Sequence, residues 1–158
     1  RGLGLKESDK NLYWQAVKNV HLFDILDDVL TDRFVQIFGE VIPCQGGYNY
    51  GVNKPTILIF KVIVDDDTIP FLIRETIGGD VAFSRIAVPV LYKGNYDIDA
   101  IRPLALGTET VSGQEKHIRE GIVIQPIKER YDSSGKFPLL LKILNPVYKM
   151  SETGDEFN

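Results

Sequence analysis

Hydrophobic residues in the first third of the chain recur at the spacing of an α-helix. Apolar side chains fall on one helical side across residues 9–30, which predicts one or two helices, with Ser8 or Asp9 as a possible cap. Residues 34–42 and 56–64 instead alternate or run apolar and are rich in β-branched and aromatic side chains. These two segments are predicted to be β-strands.

The second half of the chain carries shorter apolar runs separated by turn residues. The predicted strands there are residues 88–94, 121–126 and 138–144. Residues 96–106 are predicted to contain a helix that Gly107 ends, and Asp132-Ser133-Ser134-Gly135 is a strong turn signal between the last two strands. Strands joined by short turns, with helices inserted, predict an α+β domain built on antiparallel sheet.

Composition limits the classes of function. The chain has 158 residues, 44% of them hydrophobic and 25% charged, which is typical of one globular domain. It has no long apolar run and no basic segment followed by an apolar one, which predicts a soluble, cytoplasmic protein without a membrane span. The single cysteine, Cys44, excludes an internal disulfide. A formal net charge of −4 argues against coating nucleic acid by bulk electrostatics and leaves only a local basic track.

Two charged residues stand on apolar strands near the C-terminus. Glu120 directly precedes the run Gly121-Ile122-Val123-Ile124, and Lys142 lies within the run of residues 140–144. Burying such charges without a partner is costly, so we expect a wall or cleft where both charges are used.

Four short motifs occur in order along the chain: Phe38-Gly39-Glu40, Ile59-Phe60-Lys61-Val62-Ile63, Arg119-Glu120-Gly121-Ile122-Val123-Ile124 and Leu141-Lys142-Ile143. In this order they resemble motifs III, IIIa, IV and V of the covalent nucleotidyltransferases, a superfamily of RNA ligases, DNA ligases and mRNA capping enzymes. The chain most resembles the ATP-dependent RNA ligases of the bacterial and phage group that is similar to the Deinococcus enzyme. Residues 1–7, 13–14, 88–94 and 141–148 extend the resemblance over nearly the whole chain.

The resemblance implies a fold and a reaction. The implied fold is the antiparallel-sheet adenylation domain of the RNA and DNA ligases, with residues 1–158 as the C-terminal part of a single such domain. In the implied reaction a lysine attacks the α-phosphate of ATP, and the resulting AMP is passed to a 5′-phosphate RNA end. A 3′-hydroxyl end then displaces the AMP. The implied cofactors are ATP and Mg²⁺ or Mn²⁺, and the partners are RNA ends.

The resemblance also implies roles for individual residues. Lys142 would contact the α-phosphate, and Glu120 would hold the divalent metal through water, so these two are the catalytic candidates. Glu40 would accept hydrogen bonds from the ribose hydroxyls, and Phe60 would stack on adenine. Arg1 matches the arginine of motif Ia, which contacts the sugar or phosphate.

Each role has a structural alternative. Phe60 can be a core residue, Glu40 a strand end, and Lys142 a side chain that extends to solvent from an edge strand. Glu120 can form a surface ion pair with Arg119.

This chain departs from the family pattern at the nucleophilic lysine. The family's lysine lies in a Lys-x-x-Gly motif upstream of motif Ia, and none of the lysines here stands in that motif. Many relatives also carry a lysine where this chain has Leu140. We therefore expect a domain that is incomplete at its N-terminus, lacks the segment with the nucleophile and is inactive by itself. The alternatives are a catalytically inactive module that binds nucleotide or an RNA end, and a structural or interaction domain with an accidental match.

Overall fold

The structure is a computed structural model that describes residues 7–29, 34–42, 50–65, 67–69 and 85–148. The chain divides into two compact units, Arg1–Val88 and Pro89–Asn158. Within the described ranges, no helix has both the length and the apolar character needed to cross a membrane.

The first unit contains two helices and a three-stranded antiparallel sheet. Its elements are α1 (Leu12–Asn19), α2 (Leu22–Val29), β1 (Val35–Ile42), β2 (Thr56–Val64) and β3 (Asp67–Ile69). The strands lie in the order β1-β2-β3, so β2 is central. The predicted helices and the first two predicted strands are therefore confirmed.

The start of α1 differs from the prediction. Asn11, not Ser8 or Asp9, is the cap: its side-chain oxygen accepts the backbone N–H groups of Tyr13 and Trp14 at 2.9 and 3.2 Å. These are N–H groups that the first helical turn leaves without a partner inside the helix.

The core of the first unit forms between the two helices and β2. Its buried cluster is Leu22, Ile25, Ile59, Val62, Val64, Ile86 and Ala87. The helices cover one face of the sheet, and Phe38, Glu40 and Phe60 on the other face have exposed side chains.

The prediction of a strand at residues 88–94 is wrong. Ala87 forms only an isolated bridge with Ile59, and the Val88 N–H donates to the Ile59 carbonyl at 3.0 Å. Pro89 follows and has no N–H to donate, and residues 88–94 form no strand. A β-like composition was therefore not sufficient here.

The second unit contains a short helical segment and a two-stranded antiparallel ribbon. Its elements are α3 (Ile98–Ile101), a 3₁₀ helix (Arg102–Ala105), β4 (Gly121–Ile124) and β5 (Leu141–Leu144). The predicted helix is confirmed. The turn is confirmed as well, since the Gly135 N–H donates to the Asp132 carbonyl at 2.9 Å. The two predicted strands are confirmed over shorter ranges, because residues 125–126 and 138–140 lie outside β4 and β5. Helices with antiparallel strands in each unit agree with the predicted α+β class.

Candidate functional site

The central strand β2 contains one residue more than β1 opposite it. Phe38 pairs with Lys61 and Gly39 pairs with Ile59, which leaves Phe60 without a partner in the ladder. Such a β-bulge bends the strand and changes the direction of a side chain.

The bulge decides where the Phe60 ring lies. Ile59 and Val62 are both buried, at 1% and 2% exposure, although a regular strand would place them on opposite faces. Phe60 lies between them and is 45% exposed. The alternative that Phe60 belongs to the core does not agree with this exposure.

Glu40 lies on the same face as Phe60. In β1 it is flanked by residues whose cross-strand partners, Ile57 and Ile59, pack in or against the core. The alternation of a strand therefore directs Glu40 to the opposite face, where it is exposed. Since Phe60 directly follows the partner of Gly39, the structure brings a carboxylate and an exposed aromatic ring together on neighbouring strands.

Gly39 allows the two strands to approach closely beside this pair. A Cβ atom at Gly39 would lie 2.8 Å from both Ile57 Cγ1 and the Leu58 carbonyl oxygen. Next to it, the Lys61 ammonium lies 6.0 Å from the centre of the Phe38 ring, within the range of a cation–π contact. In Phe38-Gly39-Glu40, therefore, the ring of Phe38 contacts Lys61, Gly39 allows the close approach of the strands, and Glu40 lies on the exposed face.

In the second unit, the backbone around Glu120 is held on both sides. The Arg119 N–H donates to the Gly107 carbonyl at 2.8 Å, and the Asn145 N–H donates to the Glu120 carbonyl at 2.8 Å. The second bond adds one rung to the β4–β5 ladder. Glu120 is therefore positioned by the ladder itself and not by a loose connection.

The Arg119 side chain has a structural role at the end of the 3₁₀ helix. Its guanidinium donates to the carbonyls of Leu104 and Leu106 at the end of the 3₁₀ helix, the latter at 3.0 Å. Within the described part of the chain, no Arg119–Glu120 ion pair forms. The proposed surface ion pair is therefore not the role of Glu120.

Lys142 lies in β5 opposite Val123, and both side chains are exposed. The rung that joins Glu120 to Asn145 is three rungs from this pair, which corresponds to about 10 Å along the ribbon. Glu120 and Lys142 thus belong to one ribbon, three rungs apart.

Gly121 connects Glu120 to this ribbon and no other residue fits there. Its φ is +155°, and an added Cβ would lie 2.2 Å from the Ile143 carbonyl oxygen and 2.9 Å from Leu144 Cα. Both obstacles are backbone atoms of the paired strand, which cannot rotate away. The Glu-Gly order of the motif therefore follows from strand pairing.

The sequence reasoning missed a buried carboxylate, Glu109, which is only 2% exposed. Its oxygens accept the N–H groups of Val111, Ser112 and Lys116 at 2.6, 2.9 and 3.2 Å, and the Ser112 hydroxyl donates to it as well. Burial alone raises the pKa of Glu109, but the bonds from Ser112, Lys116 and Val111 together hold that pKa below its ordinary value. Glu109 organises the loop that leads to the site.

Glu109 also connects that loop to Glu120 through the backbone. The Glu109 N–H donates to the His117 carbonyl at 2.9 Å, and Thr108 forms a bridge with Ile118, directly before Arg119. Most of the groups that donate to Glu109 are backbone N–H groups, which the sequence does not display. The sequence indicated this loop only through a glycine at position 107 and a serine three residues after Glu109.

Asn145, within the segment of residues 141–148 that extends the resemblance, is also 2% exposed. Its side-chain oxygen accepts the Val147 N–H at 3.0 Å, so both its backbone and its side chain fix the chain that follows β5.

Two further predicted features of the site are the contact from Arg1 and the divalent metal. Arg1 lies outside the described residues, so its role stays a prediction. Among the residues that the structure describes, no group of three or more histidine, cysteine, aspartate or glutamate side chains is arranged to hold a metal ion.

Comparisons with known proteins agree with the sequence pattern. The sequence model of the RNA ligase family matches residues 1–143 of this chain. No curated protein matches it significantly.

Solved structures of one enzyme, an RNA ligase from Naegleria gruberi, share the fold of this chain. The match to its complex with pyrophosphate has a TM-score of 0.68 at 20% identity. It covers 95% of this chain and 43% of the Naegleria chain. Two variants, one with AMP and manganese and one with ATP and manganese, have TM-scores of 0.67 and 0.68, each at 21% identity over 93% of this chain and 42% of theirs. The likeness confirms an α+β fold of the ligase type, and the chain spans less than half the length of those proteins.

Proposed function

Because this chain belongs to the RNA ligase family, we propose that it is part of an adenylation domain that joins a 5′-phosphate RNA end to a 3′-hydroxyl end. The reaction uses ATP and a divalent ion, Mg²⁺ or Mn²⁺. The observation that carries the proposal is the sheet face on which Glu40 lies beside the ring of Phe60, exposed by the bulge.

That face has the chemistry of a nucleoside site. The Phe60 ring offers a flat apolar surface on which adenine stacks. Glu40, on the neighbouring strand, accepts hydrogen bonds from the ribose hydroxyls, and a charged acceptor strengthens such bonds. Since the core lies on the opposite face, the nucleoside occupies this one without displacing packed side chains.

The β4–β5 ribbon supplies the charges for phosphate chemistry. When a lysine nitrogen attacks the α-phosphorus, pyrophosphate leaves and negative charge builds on the phosphate oxygens; Lys142 acts as a fixed cation for that charge. Glu120 would hold the divalent ion through water, as suits Mg²⁺, which retains most of its hydration shell. The ion would supply positive charge that neutralises the phosphates. Arg1 contacts the sugar or phosphate in this proposal.

The nucleophile belongs to a different segment of the parent protein in this proposal. No lysine of the 158 residues stands in a Lys-x-x-Gly sequence. Residues 1–158 then form the C-terminal part of one adenylation domain, and the enzyme–AMP and RNA–adenylate intermediates form only when the nucleophile is present.

The nucleoside site predicts which side chains determine ATP affinity. Calorimetric titration with ATP and Mg²⁺ should show Phe60→Ala binding about 10-fold more weakly, through lost stacking. Lys142→Ala should bind about 10- to 100-fold more weakly, through a lost charged hydrogen bond. Phe34→Ala and Lys116→Ala are matched controls, because Phe34 is 62% exposed and Lys116 is also exposed, and both should keep the parent affinity. Equal affinities in all four variants would contradict the proposed site.

The absence of Lys-x-x-Gly predicts that the chain forms no covalent adduct. After incubation with α-labelled ATP and Mg²⁺, we expect no label on the denatured polypeptide, and a lysine adduct on this chain would contradict the assignment of the nucleophile. A peptide that carries Lys-x-x-Gly should become labelled when added to the chain.

The same absence favours a second candidate, a catalytically inactive module that binds nucleotide or an RNA end. This candidate predicts AMP binding that depends on Phe60 and Lys142 but is unchanged by EDTA, with no labelling of an added peptide. Metal dependence and peptide labelling therefore distinguish the two functions.

A further inference from the structure

Beyond the β4–β5 ribbon, the chain forms a second paired segment, residues 128–139, which we name the distal hairpin. The Leu139 N–H donates to the Arg130 carbonyl at 2.7 Å, and the Asp132 N–H donates to the Phe137 carbonyl at 2.9 Å. Between these bonds Tyr131 bridges Pro138 as a pair without hydrogen bonds of its own. Proline is tolerated there because this position requires no N–H donor.

Side-chain bonds hold the tip of the distal hairpin in one shape. The Asp132 carboxylate accepts the Ser134 hydroxyl at 2.7 Å and the N–H groups of Lys136 and Phe137 at 3.2 and 3.3 Å. The Tyr131 hydroxyl donates to Glu129 at 3.1 Å. Both carboxylates of the distal hairpin therefore take part in shaping it, and a preordered surface loses little entropy on binding.

The distal hairpin presents aromatic rings and cations to solvent. Phe137 is 66% exposed and Tyr131 is 53% exposed. Three cations, Lys128, Arg130 and Lys136, are exposed and form no ion pair within the part of the chain that the structure describes.

Because Tyr131 pairs with Pro138, Phe137 lies on the opposite face of the hairpin, the face that it shares with Arg130. The Tyr131 hydroxyl is bonded to Glu129 on the other face. The exposed ring that accompanies positive charge is therefore Phe137.

This combination identifies the class of ligand. Proteins bind single-stranded nucleic acid by stacking bases on aromatic side chains while cations follow the phosphates. A protein partner fits less well, because the centres of protein interfaces are depleted of lysine. The chain as a whole carries a formal net charge of −4, so a polyanion needs a local cluster of cations to bind.

We propose that the distal hairpin binds a single-stranded RNA segment, with Phe137 stacking on a base and Lys128, Arg130 and Lys136 contacting phosphates. The inference rests on the proposed ligase function for its biological meaning, because it assigns the hairpin to the strand that carries an end to be joined. It does not require that ATP be bound.

Fluorescence anisotropy with the full chain and a 3′-labelled 12-nucleotide single-stranded RNA tests this proposal. The aromatic variant Phe137→Ala should bind about 10-fold more weakly, through lost stacking, whereas Tyr131→Ala, which removes a ring from the opposite face, should keep the parent affinity. The triple variant Lys128→Gln/Arg130→Gln/Lys136→Gln should bind more weakly and lower the log–log salt slope by about 2, since each phosphate contact contributes about 0.7. This second variant keeps the apolar surface, so its result does not depend on how the aromatic variant folds.

Matched variants outside the hairpin serve as controls. Tyr96→Ala removes a ring that is 62% exposed in the same unit, and Lys116→Gln removes an exposed cation. Both should keep the parent RNA affinity. Calorimetry with ATP should give the same affinity for hairpin variants and parent, so failure of the nucleotide site and failure of the hairpin site are seen separately.

Three results would overturn the proposal. The first is a parent chain that binds no RNA at physiological salt, and the second is equal loss of affinity in the hairpin and control variants. The third is unchanged RNA affinity together with altered sedimentation of the aromatic variant, which would show that a second copy of the chain covers this surface.

Discussion

Gly121→Ala is expected to disrupt the β4–β5 ribbon and to lower the free energy of unfolding by about 3 kcal/mol or more. The new Cβ would lie 2.2 Å from the Ile143 carbonyl oxygen, far inside van der Waals contact, so β5 has to move away. The ribbon carries both Glu120 and Lys142, and ATP affinity should fall with the stability. Urea unfolding and calorimetric titration of the same sample measure the two effects.

Gly135→Ala is the control for this prediction. Gly135 also has a positive φ, +69°, but an added Cβ there meets no atom within 4 Å. The control therefore measures the conformational cost alone, about 1–2 kcal/mol, and should leave ATP affinity unchanged. Similar losses of stability in the two variants would show that the close contact at Gly121 is not decisive.

Glu109→Gln is expected to destabilise the second unit by about 2–3 kcal/mol at neutral pH. The substitution keeps the size of the side chain but replaces one acceptor oxygen by an NH₂ group that faces N–H donors. Ser112 and Lys116 then lose charged hydrogen bonds in a buried place. Denaturant unfolding of the parent and the variant measures the difference.

The contribution of Glu109 should depend on pH in a defined direction. Its pKa is lower in the folded chain than the ordinary value of 4.5, so the folded state favours the ionised form. The stabilisation is full above pH 4.5 and is lost as the pH falls through the lower, folded pKa. The difference between parent and Glu109→Gln should therefore shrink as the solution is acidified below 4.5, and a difference that stays constant would contradict the assigned role.

The sequence was sufficient for elements with a clear period or a strong turn. The helical spacing across α1 and α2 and the Asp132–Gly135 turn between two apolar runs each indicated one structure, and the structure agrees. At residues 88–94 the composition suggested a strand, but strand composition does not supply a partner. Pro89 lacks the N–H through which pairing could have continued.

The bulge at Phe60 was not predictable from alternation. β2 reads Thr-Ile-Leu-Ile-Phe-Lys-Val-Ile-Val, and apolar residues occupy both faces, so the sequence shows no change of phase. The exposure of Phe60 thus became visible only from its pairing. Glu109 escaped for a different reason, because its donors are mainly backbone N–H groups, which no sequence pattern displays.

The candidate roles were reached through the motifs, and the structure adds the context of each one. It places Glu40 and Phe60 on a shared face, and it assigns Arg119 to carbonyl groups instead of to Glu120. The roles of Glu40, Phe60, Glu120, Lys142 and Arg1 toward a nucleotide stay predictions that the titrations above address.

The bulge also constrains how the length of β2 can change. On either side of Phe60, the core-facing residues follow opposite parity: Ile57 and Ile59 before it, Val62 and Val64 after it. Deleting the extra residue itself would leave an unbroken ladder with both halves still facing the core, whereas a deletion elsewhere in β2 would turn part of its apolar side chains to solvent. The core therefore does not require the extra residue of β2, and what that residue adds is the exposed aromatic ring of Phe60.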